Sequence, residues 1–78
     1  MTLVQIDHYV DARGLSCPMP IVKTAQAMKM LASGAIVEVV ATDPGSVKDM
    51  AAWCRTTGND LVESSSDAET YRFLIRRK

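Results

Sequence analysis

A cysteine flanked by prolines is the residue of this chain best placed to do chemistry. Cys17 lies in the segment Gly14-Leu-Ser-Cys-Pro-Met-Pro-Ile21 and is followed at once by Pro18 and then by Pro20. Each proline would cost about 3 kcal/mol inside a helix, but in the first helical turn it removes no hydrogen bond that the helix makes. The spacing therefore predicts that Cys17 is the N-cap of a helix whose start is stiffened by Pro18 and Pro20.

The ionisation of the Cys17 sulfur decides whether it acts as a nucleophile, because the thiolate is the reactive form. With Cys17 as N-cap, Met19 is the only one of the next three residues with an N–H to donate to the sulfur. This amide and the helix dipole favour the anion, so we expect a lowered pKa. Such a thiol suits thiol–disulfide or persulfide exchange, which needs no general base. The alternative is an inert cap residue, but Gly14 and the prolines favour the reactive cysteine.

Few other side chains are candidates for chemistry. Cys54 is the only further cysteine and His8 is the only histidine. A zinc site uses about four Cys or His ligands, and two cysteines cannot form a dense disulfide framework. We therefore expect reduced thiols, no metal and no cofactor. Cys54 falls on an apolar helix stripe, and we interpret it as a buried, inert thiol.

The residues around Cys17 predict a strand followed by a helix. Residues 6–13 contain β-branched and aromatic side chains and indicate a strand that ends at Gly14. Apolar residues then recur at helical spacing as far as residue 32, and Gly34 ends the helix. Its inward stripe comprises Ile21, Ala25, Met28 and Ala32.

The second half of the chain predicts a strand, a helix and a hairpin. Residues 35–42 are almost wholly apolar and β-branched, as in a central strand. Asp43 suits the N-cap and Pro44 the first position of a helix that Gly58 closes. Residues 61–65 and 71–76 predict a final hairpin that turns at residues 66–67. The inward stripe of the second helix comprises Val47, Met50, Ala51 and Cys54.

This order of elements favours an α+β fold. We expect a βαβαββ two-layer sandwich, with both helices on one face of a four-stranded mixed sheet. The other face stays open, and both candidate sets of second-strand residues for it are largely apolar. This predicts a partner surface or weak self-association, with ordinary apolar surface as the equal alternative. The two sets are Ile36, Glu38 and Val40, or Val37, Val39 and Ala41.

Size and charge restrict the function. The chain has 78 residues with nine basic and nine acidic side chains, and we expect one domain, residues 1–78, that shares its function with a partner protein. The neutral net charge disfavours nucleic-acid binding. An apolar run of about 20 residues and a secretory signal are both missing, which indicates a cytoplasmic protein without a membrane partner.

The residues around Cys17 resemble the signature of a known family, the TusA/SirA-like small sulfur carriers with a CPxP motif. The similarity runs from Asp11 to Lys23 and continues through Asp43-Pro44, Trp53-Cys54, Gly58 and residues 71–76. The resemblance implies a sulfurtransferase role in which Cys17 accepts sulfane sulfur as a persulfide and passes it to another protein. It also implies a donor of the cysteine desulfurase or rhodanese type, and an acceptor in tRNA thiolation, molybdenum-cofactor biosynthesis or sulfur oxidation.

One position departs from part of the family. Members that serve tRNA thiolation often carry an acidic residue where this chain has Met19, so Met19 favours dissimilatory sulfur metabolism. Helical spacing also places four side chains opposite the core, where adaptable thioethers beside a cation suit the docking of different partners. A stray surface methionine is the alternative reading of this patch. The four docking candidates are Met19, Lys23, Gln26 and Met30.

Two rival functions stay open at this point. The first is a small RNA-binding module, because the chain ends in basic residues, although acidic residues lie beside them and the aromatic rings form no stacking platform. The second is a regulatory module that is recruited through the open sheet face. The basic residues are Arg72, Arg76, Arg77 and Lys78.

Overall fold

The structure is a computed structural model that describes residues 5–78. Strands and helices follow one another in the order β1, α1, β2, α2, β3, β4. Their bounds are His8–Ala12 for β1, Met19–Met28 for α1, Ile36–Ala41 for β2, Ser46–Thr57 for α2, Asp60–Asp67 for β3 and Thr70–Arg76 for β4. This order confirms the predicted βαβαββ arrangement.

The strands form one mixed sheet in the order β1-β2-β4-β3. β1 runs parallel to β2 and pairs Val10 with Val39. β4 lies antiparallel between β2 and β3, and its Phe73 also pairs with Val39. Because β1 and β2 are parallel, their carboxyl ends share one edge of the sheet. The segments that carry Cys17 and Asp43 both leave from that edge.

Both helices pack on one face of this sheet. On β2 the alternation places Val37, Val39 and Ala41 in the core, fully buried. Of the two alternatives for β2, the set with Val37 therefore faces the helices, and the set with Ile36 faces away. The remaining core side chains are Val10, Ala12, Met28, Met50, Cys54, Phe73 and Ile75.

The open face of the sheet carries an ion pair. Arg72 of β4 donates a hydrogen bond to Glu38 of β2 and lies 3.7 Å from Glu63 of β3. Val40 is half-buried on the same side of β2. A surface predicted as largely apolar is therefore interrupted by charged side chains at its centre.

Helix α1 ends one turn earlier than the sequence predicts. Its last residue is Met28, and Ala32 is exposed beyond the helix. Gly34, the predicted helix end, lies in the following loop with φ of 89°. Its N–H donates to the Arg77 carbonyl at 2.9 Å. This glycine turns the chain into β2 and does not close α1. The predicted helix end at residue 32 and the predicted role of Gly34 were therefore both wrong.

A polar residue occupies the centre of the inward face of α1. Thr24 is fully buried, whereas the predicted Ala25 is only half-buried. The Thr24 hydroxyl donates to the Pro20 carbonyl at 2.8 Å, which removes the cost of burying it. Hydrophobic spacing misses this position because a threonine that bonds its own helix needs no other partner.

Helix α2 begins later than predicted. Its N-cap is Gly45 and its first residue is Ser46. Asp43 is therefore not the N-cap, and Pro44 lies in the turn before the helix. The Asp43 carbonyl accepts the Ser46 N–H at 3.0 Å, so this turn leads the chain into the helix. Gly58 closes α2 in the left-handed conformation, as predicted.

Smaller differences concern the strands and the α2 stripe. β1 covers His8–Ala12 and not the whole of residues 6–13. The hairpin turns two residues later than predicted, next to Ala68, whose φ is 56°. Val47 was placed in the inward stripe of α2 but is 39% exposed, because the helix turns Ser46 inward instead. No helix within residues 5–78 is long and apolar enough to cross a bilayer.

Candidate functional site

Cys17 lies in the loop between β1 and α1, at the edge where β1 and β2 both end. The loop is attached to the segment after β2, because the Gly14 N–H donates to Thr42 Oγ1 at 2.9 Å. Gly14 has φ of 79°, a conformation that glycine adopts without strain. The Cys17 side chain is exposed, so its sulfur is open to another protein.

The start of α1 differs from the prediction in its cap. Pro18 is the N-cap, and Cys17 precedes it, joined by a cis peptide bond. The Met19 N–H donates to the Ser16 carbonyl at 2.8 Å and is not available to the sulfur. The predicted N-cap role of Cys17 and the predicted bond from Met19 to its sulfur are therefore wrong. The chain makes a turn there before the helix begins, and that turn uses the amide.

The two prolines lie at the helix start, where the sequence predicts them. Pro20 is fully buried, and its carbonyl accepts the hydrogen bond from Thr24 inside the core. Pro18 is exposed next to Cys17. One proline therefore anchors the first turn to the core, and the other restricts the backbone beside the sulfur.

Two carboxylates from residues that follow β2 in the chain contact Cys17. Asp43 Oδ2 accepts the Cys17 N–H at 3.1 Å, and Asp49 Oδ2 accepts a hydrogen bond from the Cys17 sulfur. Asp49 lies in the first turn of α2. The sequence patterns pointed to neither residue as part of the site. The signal that could have found them is the parallel pairing of β1 and β2, which brings the residues after both strands to one edge.

The two carboxylates raise the pKa of the Cys17 thiol above its ordinary value. The largest cause is the hydrogen bond from the thiol to Asp49, followed by desolvation and by the negative charges of Asp49 and Asp43. Loss of the proton would leave a sulfur anion facing a carboxylate, which is unfavourable. The shift is therefore opposite to the predicted lowering of this pKa, because the hydrogen bond to Asp49, desolvation and the two nearby carboxylates all favour the protonated thiol.

The second thiol has a different environment. Cys54 lies on the inward face of α2 and is only 3% exposed. Burial, with a smaller contribution from the charge of Asp60, raises the pKa of Cys54 to about 11. The prediction that Cys54 is a buried thiol is confirmed. Its thiolate is nearly absent at neutral pH, so Cys17 is the better candidate for thiol chemistry.

The four docking candidates separate into two places. Lys23, Gln26 and Met30 line a groove of about 430 Å³ between α1 and β1, with Met30 87% exposed. Lys23 Nζ donates to the Asp11 carbonyl at 2.6 Å, which holds this side chain across the groove. Met19 is 47% exposed at the helix start, beside Cys17. The structure therefore groups three of these residues and leaves Met19 outside the groove, two residues after Cys17.

The arginines near the end of the chain bind groups within the fold. Arg72 binds Glu38, and Arg76 lies 3.3 Å from Asp60. Arg77 Nε donates to the Met28 carbonyl at 2.8 Å. These arginines are bound to partners within the fold, so nothing here supports an RNA-binding surface. Across residues 5–78, no group of three or more His, Cys, Asp or Glu side chains is placed to hold a metal ion.

Comparison with known proteins shows which family has this site. The family model described as Sulfurtransferase TusA matches residues 8–77. The chain belongs to the TusA family. Among its relatives, Sulfur carrier protein TusA of Allochromatium vinosum is 41% identical over 75 residues, which cover 96% of this chain and 99% of that protein. Putative sulfur carrier protein YrkI of Bacillus subtilis is 46% identical over 71 residues, covering 91% and 95% of the two chains.

A solved structure shares the TusA-family fold. The SirA-like protein of Desulfitobacterium hafniense superimposes with a TM-score of 0.78 at 22% identity, covering 88% of this chain and 95% of that chain. The likeness confirms the predicted fold class, with helices on one face of a mixed sheet. The family match includes the whole segment around Cys17, so the resemblance to TusA/SirA-like carriers is confirmed.

Proposed function

We propose that this TusA-family protein is a sulfur carrier that holds sulfane sulfur as a persulfide on Cys17 and passes it to an acceptor protein. The observation that carries the proposal is the exposed Cys17 sulfur at the sheet edge of a TusA-family chain. An exposed position suits a sulfur that must reach the active site of a partner. The other thiol, Cys54, is buried in the core.

Loading of Cys17 needs no oxidant. The Cys17 sulfur attacks the terminal sulfur of a donor persulfide, R–S–SH, and a new S–S bond forms at Cys17. The S–S bond of the donor breaks, and its inner sulfur leaves with the electron pair and takes up the proton that Cys17 loses. Unloading repeats the exchange, with an acceptor thiolate attacking the terminal sulfur of the Cys17 persulfide. Sulfur moves between proteins without net oxidation or reduction.

The loop residues have the role of holding the sulfur in place during these exchanges. Gly14 lets the chain turn after β1 and ties the loop to Thr42. Pro18 restricts the backbone next to Cys17, and Pro20 anchors the helix start in the core. In this proposal Met19 contributes its exposed side chain to the surface that a docked partner covers, and its amide has no part in the chemistry.

The partners in this proposal are two proteins. The donor is a cysteine desulfurase or a rhodanese, and the acceptor serves dissimilatory sulfur metabolism, tRNA thiolation or molybdenum-cofactor biosynthesis. The groove of Lys23, Gln26 and Met30 supports docking, because its cation and flexible thioether lie on an exposed surface. We place the protein in the cytoplasm, where the two unpaired cysteines stay reduced.

Mass spectrometry of the intact protein tests the sulfur-carrier proposal. The reduced protein is incubated with glutathione persulfide, and we expect the mass of one sulfur atom to be added and then removed by a reductant. The addition is expected to be absent in Cys17→Ser and present in Cys54→Ser, which is the matched control. Sulfur that follows Cys54, or a wild type that stays unmodified, would contradict the proposal.

A further inference from the structure

The contact between Asp49 and Cys17 is built into the packing of α2. Asp49 is 32 residues from Cys17 in the chain and reaches it from another element. α2 is held on the sheet by Met50 and Cys54, which lie in the core. The Asp49 N–H donates to the Gly45 carbonyl at 3.2 Å, within the first helical turn. The carboxylate is thus presented to the sulfur by a packed helix and not by a mobile side chain of the loop.

The charges around the sulfur all act in one direction. Asp49 on α2 and Asp43 before it are the charged groups that shift the Cys17 pKa, and both raise it. Two cations of the neighbouring segments are bound to groups other than the sulfur. Arg13, on the loop of Cys17, is bound to the Asp11 carboxylate, and Lys23 of α1 is bound to the Asp11 carbonyl.

We propose that Asp49 is a positioning residue that keeps the unloaded Cys17 sulfur as a protonated thiol until a sulfur donor docks. This inference rests on the proposed sulfur-carrier role of Cys17. A protonated thiol is a weak nucleophile and is oxidised slowly. The free carrier is thereby protected from stray disulfides and oxidants, which would otherwise consume the one exposed thiol among the described residues.

The hydrogen bond from the Cys17 sulfur to Asp49 forms in the unloaded carrier and not in the loaded one. In a persulfide the Cys17 sulfur carries no proton, so it has nothing to donate to Asp49. The reactive terminal sulfur is a separate atom, one S–S bond of about 2 Å away from the Cys17 sulfur. A donor that places a lysine or arginine beside Asp49 would weaken the hydrogen bond before transfer, since a cation competes for the same carboxylate. Asp49 therefore acts on the unloaded carrier, before a donor has docked.

The pH dependence of alkylation tests this role of Asp49. The rate of iodoacetamide reaction at Cys17 is measured from about pH 6 to pH 10 for the wild type, Asp49→Asn and Asp49→Ala. Near neutral pH we expect both variants to react about two- to fivefold faster, with the midpoint of the profile at lower pH. At the alkaline end of this range their advantage should shrink, because the wild-type thiol is then increasingly ionised and a less basic thiolate is a weaker nucleophile.

A control and two outcomes make the test decisive. Asp60→Asn removes a carboxylate at the start of β3, past the C-terminal end of α2, and should leave the profile of Cys17 unchanged. An unshifted midpoint in both Asp49 variants would overturn the inference. A rate that rises by the same factor at every pH would also overturn it, because Asp49 would then only shield the sulfur. Alkylation needs no persulfide, so failure of this inference is distinguishable from failure of sulfur loading.

Discussion

The backbone amide of Cys17 donates a hydrogen bond to Asp43 Oδ2 at 3.1 Å, across 26 residues of sequence. A second bond from Gly14 to Thr42 lies beside it. The loop that carries the thiol is therefore held from the end of β2 as well as by its own helix. The position of the sulfur depends on two chain segments that meet only because β1 and β2 are parallel neighbours.

Asp43→Ala should loosen the loop around Cys17. Loss of the acceptor leaves the Cys17 amide free to exchange with water, and we expect its hydrogen exchange to rise about fivefold, as for the loss of one exposed hydrogen bond. Amide exchange followed by NMR measures this change. Asp67→Ala, at the far hairpin, is the matched control. Unchanged exchange at Cys17 would show that the carboxylate does not hold the loop.

Met50→Ala should destabilise the fold strongly. Met50 is fully buried between α2 and the sheet, so truncation removes apolar contacts and leaves a cavity that costs about 2–5 kcal/mol. Urea unfolding followed by circular dichroism gives the free energy. Val47→Ala on the same helix is the control, since Val47 is 39% exposed and should change stability by less than about 0.5 kcal/mol. Equal effects would contradict the observed orientation of α2.

Arg72→Ala should cost more stability than Arg76→Ala. The Glu38 side chain that Arg72 binds is only 13% exposed, and a carboxylate left without its partner there costs about 1–3 kcal/mol. The partner of Arg76 is the exposed Asp60, and an exposed pair contributes less than about 1 kcal/mol. Urea unfolding measures the difference in the free energy of unfolding between the two variants. A larger loss for Arg76→Ala would rule out this ranking.

The stability of the protein should fall at alkaline pH partly because of Cys54. Burial raises the pKa of Cys54 to about 11, above the value of about 8.5 for an unfolded cysteine. The folded state therefore keeps its proton longer, and this contribution is complete below about pH 8.5 and is lost as pH rises towards 11. We expect the wild type to lose about 1–3 kcal/mol more than Cys54→Ala across this window.

The control for this measurement of alkaline stability is a variant of Cys17. Cys17→Ala keeps Cys54 and should retain most of the alkaline loss of the wild type, since the raised pKa of the exposed Cys17 thiol contributes the smaller part. Urea unfolding curves collected at several pH values show how the free energy of unfolding changes with pH in the wild type and in each variant. If Cys54→Ala loses stability as steeply as the wild type, ionisation of Cys54 makes no contribution to the alkaline loss.

Element types and their order could be predicted because they depend on local patterns. The apolar run of β2, the two prolines at the start of α1 and the glycine after α2 each act within a few residues. The first and last residues of these helices and strands were predicted less well. α1 ends at Met28 and not at residue 32, since the spacing of apolar residues does not show where a helix leaves the core. Burial of Thr24 was missed because its partner is its own helix.

The sequence alone determined Cys17 as the candidate for the reactive residue, because the type and spacing of Cys17, Pro18 and Pro20 are local properties that also mark the family. The ionisation of Cys17 was decided only by tertiary structure. Asp43 and Asp49 reach the cysteine from the segment after β2, and nothing near residue 17 in the chain encodes their presence. Electrostatic interactions depend on distance in space, so the pKa of this thiol was raised by residues that a reading along the chain could not place beside it.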